Sequence, residues 1–361
     1  MQNPQYPAPS QTSGYPVPAP PPAAPPVAPA QLSYSGQPFT FEPPRETKEL
    51  AYHRLAFADH KSRWWKPLVE GVLGVVFYLV FSVLMMLGFA IYMFSSGSAE
   101  IGGTLKEVQQ QALTSPAVFL MMFGNIALMF PSLWLARLIM GPRPWGLVHS
   151  VAGRIRWGWM GVCFGISALL YVLIPTLLEL LLNGAEGFQP VVHSSTLVWM
   201  LVLIVLVVPV QCYAEELVFR GYLMQTIGRW LRHPAWAIVL PAPLFMVGHL
   251  YDFWGQASIL AMGMAAGFMV WYTGGLEAGI AMHVVNNLNL MLFGVLGGAV
   301  DPFAQEGLTF VDFLMAVGVE LLLVGAVMYA ARVMGVARTG TFSVVMSPQR
   351  WREVQEAKAG V

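Results

Sequence analysis

The chain has 361 residues, of which 56% are hydrophobic and only 11% are charged, whereas a soluble globular domain carries about 25% charged residues. Its 19 Lys and Arg residues balance its 19 Asp and Glu residues, and this zero net charge argues against nucleic acid as a partner, because nucleic-acid binding needs a basic face. The apolar residues are spread over most of the chain, so the composition predicts an integral membrane protein with several spans.

The first 44 residues form a tail rich in Pro, Ala, Ser and Gln. Such a segment cannot bury enough apolar surface to fold, so we expect a disordered cytoplasmic tail that is partly polyproline II. It lacks a basic region followed by a short apolar stretch, and no signal peptide is therefore predicted. The tail is interpreted as a solvated spacer, with a docking site for a proline-binding module as the alternative.

Residues 45–66 form a basic segment that ends close to Trp64 and Trp65. Basic residues and tryptophans before an apolar run are typical of a cytoplasmic membrane interface. We therefore predict that this juxtamembrane segment leads directly into the first membrane span.

Eight apolar stretches follow, of the length expected for membrane-spanning helices. They cover residues 71–94, 117–139, 157–182, 197 onward to Glu215, 235–251, 257–272, 278–300 and 313–331. Pro241 and Pro243 are expected to bend or break the fifth stretch. The sequence thus predicts an all-α polytopic membrane protein, with a bundle of about eight transmembrane helices over residues 67–334 and a cytoplasmic tail at 335–361.

The basic residues also predict the orientation of the bundle. Lys and Arg cluster before the first span, between the second and third, between the fourth and fifth, and after the eighth. The positive-inside rule then places both termini in the cytoplasm. We expect a multi-pass protein of the plasma membrane.

Two adjacent carboxylates and an arginine end the fourth span, after residues 197–214 without a charge. A charge at bilayer depth costs about 2.5–3.5 kcal/mol, so such groups are functional candidates. Glu216 and Arg220 are four residues apart in the orientation that favours an ion pair, and we expect this pair to brace the helix. Glu215 is turned by about 100° around the helix and is left free for chemistry.

Only two of the seven histidines, His249 and His283, lie within apolar stretches. Phe245 lies four residues before His249, and Asn287 lies four residues after His283, so each pair shares one helix face. Glu215 and His249 stand about equally far from the turn between the fourth and fifth spans, which would bring them to similar depth in an antiparallel hairpin. We expect these groups to line one cavity, most simply reached from the cytoplasm.

The chemistry of this set favours hydrolysis. A Glu beside a neutral His can act as general base on a water, and His and Asn side chains can donate hydrogen bonds to a developing oxyanion. The chain has no Gly-x-Ser-x-Gly motif, and Cys163 and Cys212 lie in apolar runs as small core residues. The residues therefore suit hydrolysis of an acyl bond without a covalent intermediate.

Three short motifs in this half of the chain resemble the signatures of the CPBP family, which comprises CAAX prenyl proteases and bacteriocin-processing or bacteriocin-immunity proteins and is also called the Abi family. The motif residues are Glu215, Glu216 and Arg220, then Phe245 and His249, then His283 and Asn287. The resemblance covers residues 197–300 and implies an eight-helix core with intramembrane glutamic protease chemistry, similar to a metalloprotease. It also implies that Glu215 and His249 activate the water, while His283 and Asn287 hold the oxyanion.

Other interpretations stay open. The polar residues could be hydrogen-bonding groups between helices, and Glu215, His249 and His283 could bind zinc, although no His-Glu-x-x-His motif is present. The favoured interpretation requires no cofactor and takes a membrane protein or lipidated peptide as substrate. The alternatives are a non-proteolytic membrane scaffold or bacteriocin-immunity protein, and a proton-coupled transporter. Glu320 and Asn125, in other spans, are predicted to be packing or hydrogen-bonding groups.

Overall fold

The computed structural model describes residues 44–59, 63–97, 105–141, 144–184, 194–296, 303 and 307–359. The tail predicted for residues 1–44 lies outside these ranges except for Pro44. The helices are α1 (Lys66–Ser95), α2 (Leu105–Gln111), α3 (Pro116–Ala127), α4 (Met129–Ile139), α5 (Gly146–His149), α6 (Trp157–Ala168), α7 (Ile174–Asn183), α8 (Ser194–Glu216), α9 (Met224–Trp230), α10 (Pro234–Val239), α11 (Pro241–Val247), α12 (Phe253–Thr273), α13 (Glu277–Leu296), α14 (Phe310–Val333) and α15 (Pro348–Ala359).

Helices that are long and apolar enough to cross a membrane dominate the fold. Within the described ranges there are seven, at Lys66–Ser95, Pro116–Ile139, Trp157–Leu181, Ser195–Trp230, Phe253–Thr273, Glu277–Leu296 and Phe310–Val333. The predicted class, an all-α polytopic membrane protein, is confirmed.

The predicted fifth span takes a different form from the other seven. Residues Pro234–Val247 make a shorter apolar helical segment, divided into α10 and α11 at Leu240. Pro241 and Pro243 have no backbone N–H to donate, so a single helix cannot continue through them. The segment is shorter than the roughly 20 residues that a crossing needs, so the eight predicted spans appear as seven long helices and one broken one.

The helix that carries the two adjacent carboxylates is the longest in the bundle. The stretch Ser195–Trp230 has 36 residues and is therefore about 54 Å long, well beyond the roughly 30 Å of a hydrocarbon core. Residues Leu217–Leu223 within it are π-helical, a local widening that is frequent at functional sites. Met200, Ile204, Val208 and Cys212 recur every fourth residue as a fully buried stripe, by which α8 packs between α3 and α13.

The two ends of the described chain pair with each other. Strand β1 (Arg45–Ala51) lies antiparallel to β2 (Thr339–Val345), with Arg45 opposite Val345 and Ala51 opposite Thr339. The following 3-10 segment, Tyr52–Ala58, packs against α9. The juxtamembrane segment at 45–66 and the tail at 335–361 were predicted as separate segments, but each contributes one strand to this small sheet.

We call this side of the bundle the capped end and the opposite side the far end. The Tyr52 hydroxyl donates a hydrogen bond to the Val148 carbonyl, and the Arg54 guanidinium donates to the Gly228 carbonyl at 2.5 Å. Arg156 links the start of α6 to the end of α12 through the Thr273 carbonyl, at 2.9 Å. At the far end, the Leu308 amide donates to Asp252 at 3.0 Å.

Buried Glu320 and partly buried Asn125, both outside the three motifs, join helices. The Tyr171 hydroxyl donates to Glu320 at 2.5 Å, and the Asn125 amide donates to the Tyr78 hydroxyl at 3.1 Å. Both contacts agree with the packing and hydrogen-bonding roles predicted for Glu320 and Asn125.

Candidate active site

The two adjacent carboxylates are buried at the junction of α8 and the π-helical segment. Glu215 is 7% exposed and Glu216 is fully buried. The Arg220 guanidinium donates to Glu216 Oε1 at 2.8 Å, so the predicted ion pair is present. A buried charge without a partner is costly, and this pairing allows Glu216 to remain at this depth.

Arg220 is held on two further sides. Its Nη2 lies 3.3 Å from the Gly263 carbonyl oxygen, to which it donates, and its guanidinium carbon lies 4.3 Å from the centre of the Phe245 ring. The close approach of α12 depends on small residues, because a Cβ on Gly263 would lie 3.3 Å from the Ala242 Cβ. Phe245, the aromatic residue of the second motif, thus supports the arginine by a cation–π contact.

His283 lies between the two carboxylates. Its Nδ1 is 3.0 Å from Glu216 Oε1, and its Nε2 is 3.3 Å from Glu215 Oε2. From residue spacing alone, Glu215 was expected to pair with His249 and Glu216 with Arg220. The structure instead links both carboxylates through His283, because α13 packs directly against α8.

His249 occupies the turn after α11. Its Nδ1 is 3.0 Å from the Phe245 carbonyl oxygen, and a carbonyl can only accept, so this contact places a proton on Nδ1 and leaves Nε2 as the acceptor in the neutral ring. Its ring also packs against Phe245, with centroids 4.8 Å apart. None of the ion pairs among the described residues joins His249 to Glu215, although both side chains line the same cavity.

Glu215, His249, His283 and Asn287 line a single cavity of about 210 Å³. One water occupies about 30 Å³ of liquid volume, so the cavity has room for several waters or for a short part of a peptide. The rest of the lining is largely apolar. It includes Met122, Phe123, Ile126, Ile259, Met262, Leu290 and Met291. The structure therefore brings the four predicted residues together in one largely apolar chamber.

Gln211 also belongs to the site, although it was not among the residues predicted from the sequence. It is 2% exposed, and its amide donates to Glu215 Oε2 at 2.5 Å. Its own oxygen lies 3.5 Å from the Asn287 amide nitrogen, and the neighbouring Asn286 donates to Asn287 at 3.1 Å. The sequence does contain a signal, because Gln211 stands one helical turn before Glu215 and is the one amide side chain in residues 197–216.

The same geometry bears on zinc binding by Glu215, His249 and His283. In the part of the chain that the structure describes, no group of three or more His, Cys, Asp or Glu side chains is arranged to hold a metal ion. Both His283 nitrogens face carboxylates at hydrogen-bonding distance. As placed, Glu215, His249 and His283 do not fit a zinc ion.

Comparison with known proteins bears on the same region. Residues 194–289 match the family described as type II CAAX prenyl endopeptidase Rce1-like, and all the motif residues lie within this stretch. A relative, the uncharacterized protein YyaK of Bacillus subtilis, is 25% identical over 238 residues, covering 62% of this chain and 79% of YyaK. No solved structure matches the chain. The resemblance inferred from the three motifs is confirmed for residues 194–289.

Proposed function

We propose that the chain is an intramembrane endopeptidase that hydrolyses a peptide bond of a membrane-associated or lipidated protein. The match of residues 194–289 to CAAX-type endopeptidases supports a membrane protease in general. The observation that carries the proposal is the convergence of Glu215, His249, His283 and Asn287 on one cavity. Contacts between helices alone do not require these four side chains to face an open chamber, so their shared cavity favours a site for substrate.

The charges of the cluster suggest how it can exist within a membrane. With His283 protonated, the two cations His283 and Arg220 balance the two carboxylates, Glu215 and Glu216. Both His283 nitrogens then donate, one to each carboxylate, over the observed 3.0 and 3.3 Å. A buried cluster of this kind is tolerated when it is neutral overall and its members are hydrogen-bonded. Glu216 and Arg220 act behind the cavity as supports.

In this proposal, Glu215 and His249 activate the water. A water between the Glu215 carboxylate and His249 Nε2 would be held by two acceptors, and Glu215 would take its proton as the water oxygen attacks the scissile carbonyl carbon. The largely apolar walls strengthen this arrangement, because polar interactions are stronger where bulk water is excluded.

His283 and Asn287 then stabilise the tetrahedral intermediate. Once Glu215 carries the water proton it has no negative charge, so its hold on the His283 Nε2–H weakens, and that N–H becomes available to the oxyanion together with the Asn287 amide. As the C–N bond breaks, Glu215 returns the proton to the leaving amine. The carboxylate is restored, and no covalent intermediate forms.

Basic residues support the proposed orientation, in the plasma membrane with both termini in the cytoplasm. Among the described residues, every Lys and Arg except Lys106 and Arg220 belongs to a segment at or next to the capped end. Acidic residues stand at the far end, including Glu107 in α2, Asp252 before α12 and Asp312 in the first turn of α14. By the positive-inside rule the capped end faces the cytoplasm.

The test uses a matched pair of buried carboxylates. Membrane fractions of cells that carry the wild-type chain, Glu215→Gln or Glu320→Gln are compared by mass spectrometry of peptide termini. Glu320 is the control because it is also buried in a span but contacts Tyr171 and does not line the cavity.

We expect a set of new termini in cells with the wild-type or Glu320→Gln chain. With Glu215→Gln these termini should disappear and the uncleaved precursor should accumulate. Identical termini in all three samples would contradict the proposal and favour a scaffold. If Glu215→Gln abolished proton-coupled flux into vesicles without changing any terminus, a transporter would be favoured instead.

A further inference from the structure

The cavity extends in one direction from the reacting groups. Helix α13 begins at the capped end, where Glu277 accepts from Arg156 at 2.7 Å. His283 lies about 9 Å along the helix from that end, and the cavity continues past Asn287 to Met291, about 12 Å further on. Helix α8 runs antiparallel to α13, so residues before Glu215 lie further from the capped end. Gln211, one turn before Glu215, also lines the cavity.

Between the carboxylates and the capped end, the bundle is closely packed. Leu217, Met224 and Val148 are fully buried. A Cβ on Gly221 would lie only 2.7 Å from Val148, and one on Gly279 would lie 2.7 Å from Glu216 Oε2. These contacts separate the cavity from the capped end. The pocket on that side measures only about 30 Å³, and none of the residues that line it also lines the cavity beside Glu215.

The small sheet and the 3-10 segment close the same side. Tyr52 is fully buried and Leu55 is 2% exposed. The backbone of the 3-10 segment lies so close to α9 that a Cβ on Gly228 would overlap the His53 carbonyl. No described residue of β1, β2 or the 3-10 segment lines the cavity.

The opposite wall of the cavity consists of residues at the far end. Gln109 belongs to α2, which precedes the far-end start of α3, and Phe303 lies in the connection between α13 and α14. Tyr251, which also lines the cavity, immediately precedes the Asp252 cap of α12. The chamber therefore reaches from Glu215 to the far end of the bundle.

We infer that substrate reaches the cavity from the far end, which is the non-cytoplasmic face of the membrane. This inference differs from the expectation that the cavity is reached from the cytoplasm. In the described part of the chain, β1, the 3-10 segment and β2 cover the capped end. If the chain is the proposed endopeptidase, its substrate is a peptide segment displayed on the non-cytoplasmic face beside an apolar membrane anchor. It is not a lipidated chain end presented from the cytoplasm.

Accessibility of single cysteines tests the direction. In the full-length chain with Cys163→Ala and Cys212→Ala, a cysteine is placed in the cavity (Leu290→Cys), at the far end (Glu107→Cys) or on exposed α15 at the capped end (Arg352→Cys). A small, charged, membrane-impermeant methanethiosulfonate is added to intact cells or to inside-out vesicles. Thiols left unmodified are then counted by a mass tag after denaturation. Gln109→Cys is a second cavity probe in case Leu290→Cys does not fold.

In intact cells, we expect the methanethiosulfonate to modify the cavity cysteine and Glu107→Cys, so that neither takes the mass tag. Arg352→Cys should be modified only in inside-out vesicles. The inference is overturned if the cavity cysteine is modified from the same face as Arg352→Cys, if it is modified from neither face, or if Arg352→Cys itself is modified in intact cells. Labelling needs no turnover, so Glu215→Gln in the same background should give the same pattern. Failure of the protease proposal would therefore leave this result unchanged.

Discussion

Loss of the Arg220 charge should destabilise the protein much more than loss of the ion pair as a whole. Arg220→Met leaves Glu216 fully buried opposite an apolar side chain, and removing one partner of a buried pair costs about 3–5 kcal/mol. The lost contact with the Phe245 ring adds about 0.5–2 kcal/mol. In the double variant Glu216→Gln/Arg220→Met no unpaired charge remains, and the cost should be smaller by a few kcal/mol.

The assay is thermal unfolding of the purified full-length chain in detergent, with the two single variants and the double variant measured together. Arg350→Met serves as control, because its partner Glu353 is on the surface at 3.1 Å and such pairs contribute little. We expect strong, non-additive coupling between Glu216→Gln and Arg220→Met, and no measurable effect of Arg350→Met. Additive losses in the double variant would refute the assignment of Glu216 and Arg220 as a mutually neutralising buried pair.

Three further predictions follow from single contacts. Gln211→Leu removes a hydrogen bond to a charged carboxylate, worth about 1.5–3 kcal/mol, so kcat should fall roughly 10- to 100-fold with KM little changed. Gly279→Ala would place a Cβ 2.7 Å from Glu216 Oε2 and should impair cleavage, whereas Gly318→Ala has no atom within 4 Å and should not. Burial lowers the pKa of His53 below its usual 6.5, so stability at the capped end should be full above pH 6.5 and fall as the pH drops through the lowered folded pKa. On acidification, the free energy of unfolding of the wild-type chain should therefore fall by more than that of the His53→Gln variant.

Local neighbours within the site could be predicted from the sequence. The i,i+4 spacing placed Glu216 beside Arg220, because helical geometry alone fixes which side chains share a face. The same rule put His249 one turn after Phe245. Pro241 and Pro243 indicated a break in the fifth span, since proline removes a helical hydrogen bond.

Contacts between helices could not be predicted in the same way. The position of His283 between both carboxylates depends on how α13 lies against α8, and residue spacing within one helix does not define this. The pairing of Arg45 with Val345 joins residues about 300 positions apart. This pairing helps to cover one end of the bundle. The end towards which the cavity extends could therefore not be predicted from the sequence either.

The central claim is that Glu215, and not a buried carboxylate in general, drives peptide-bond hydrolysis. The most direct measurement reconstitutes the purified wild-type, Glu215→Gln and Glu320→Gln chains in lipid vesicles with a precursor identified from the terminus comparison. Cleavage is followed by mass spectrometry of the products. We expect cleavage at the same bond by the wild-type and Glu320→Gln chains and loss of cleavage with Glu215→Gln. Cleavage by Glu215→Gln at the wild-type rate would contradict the claim.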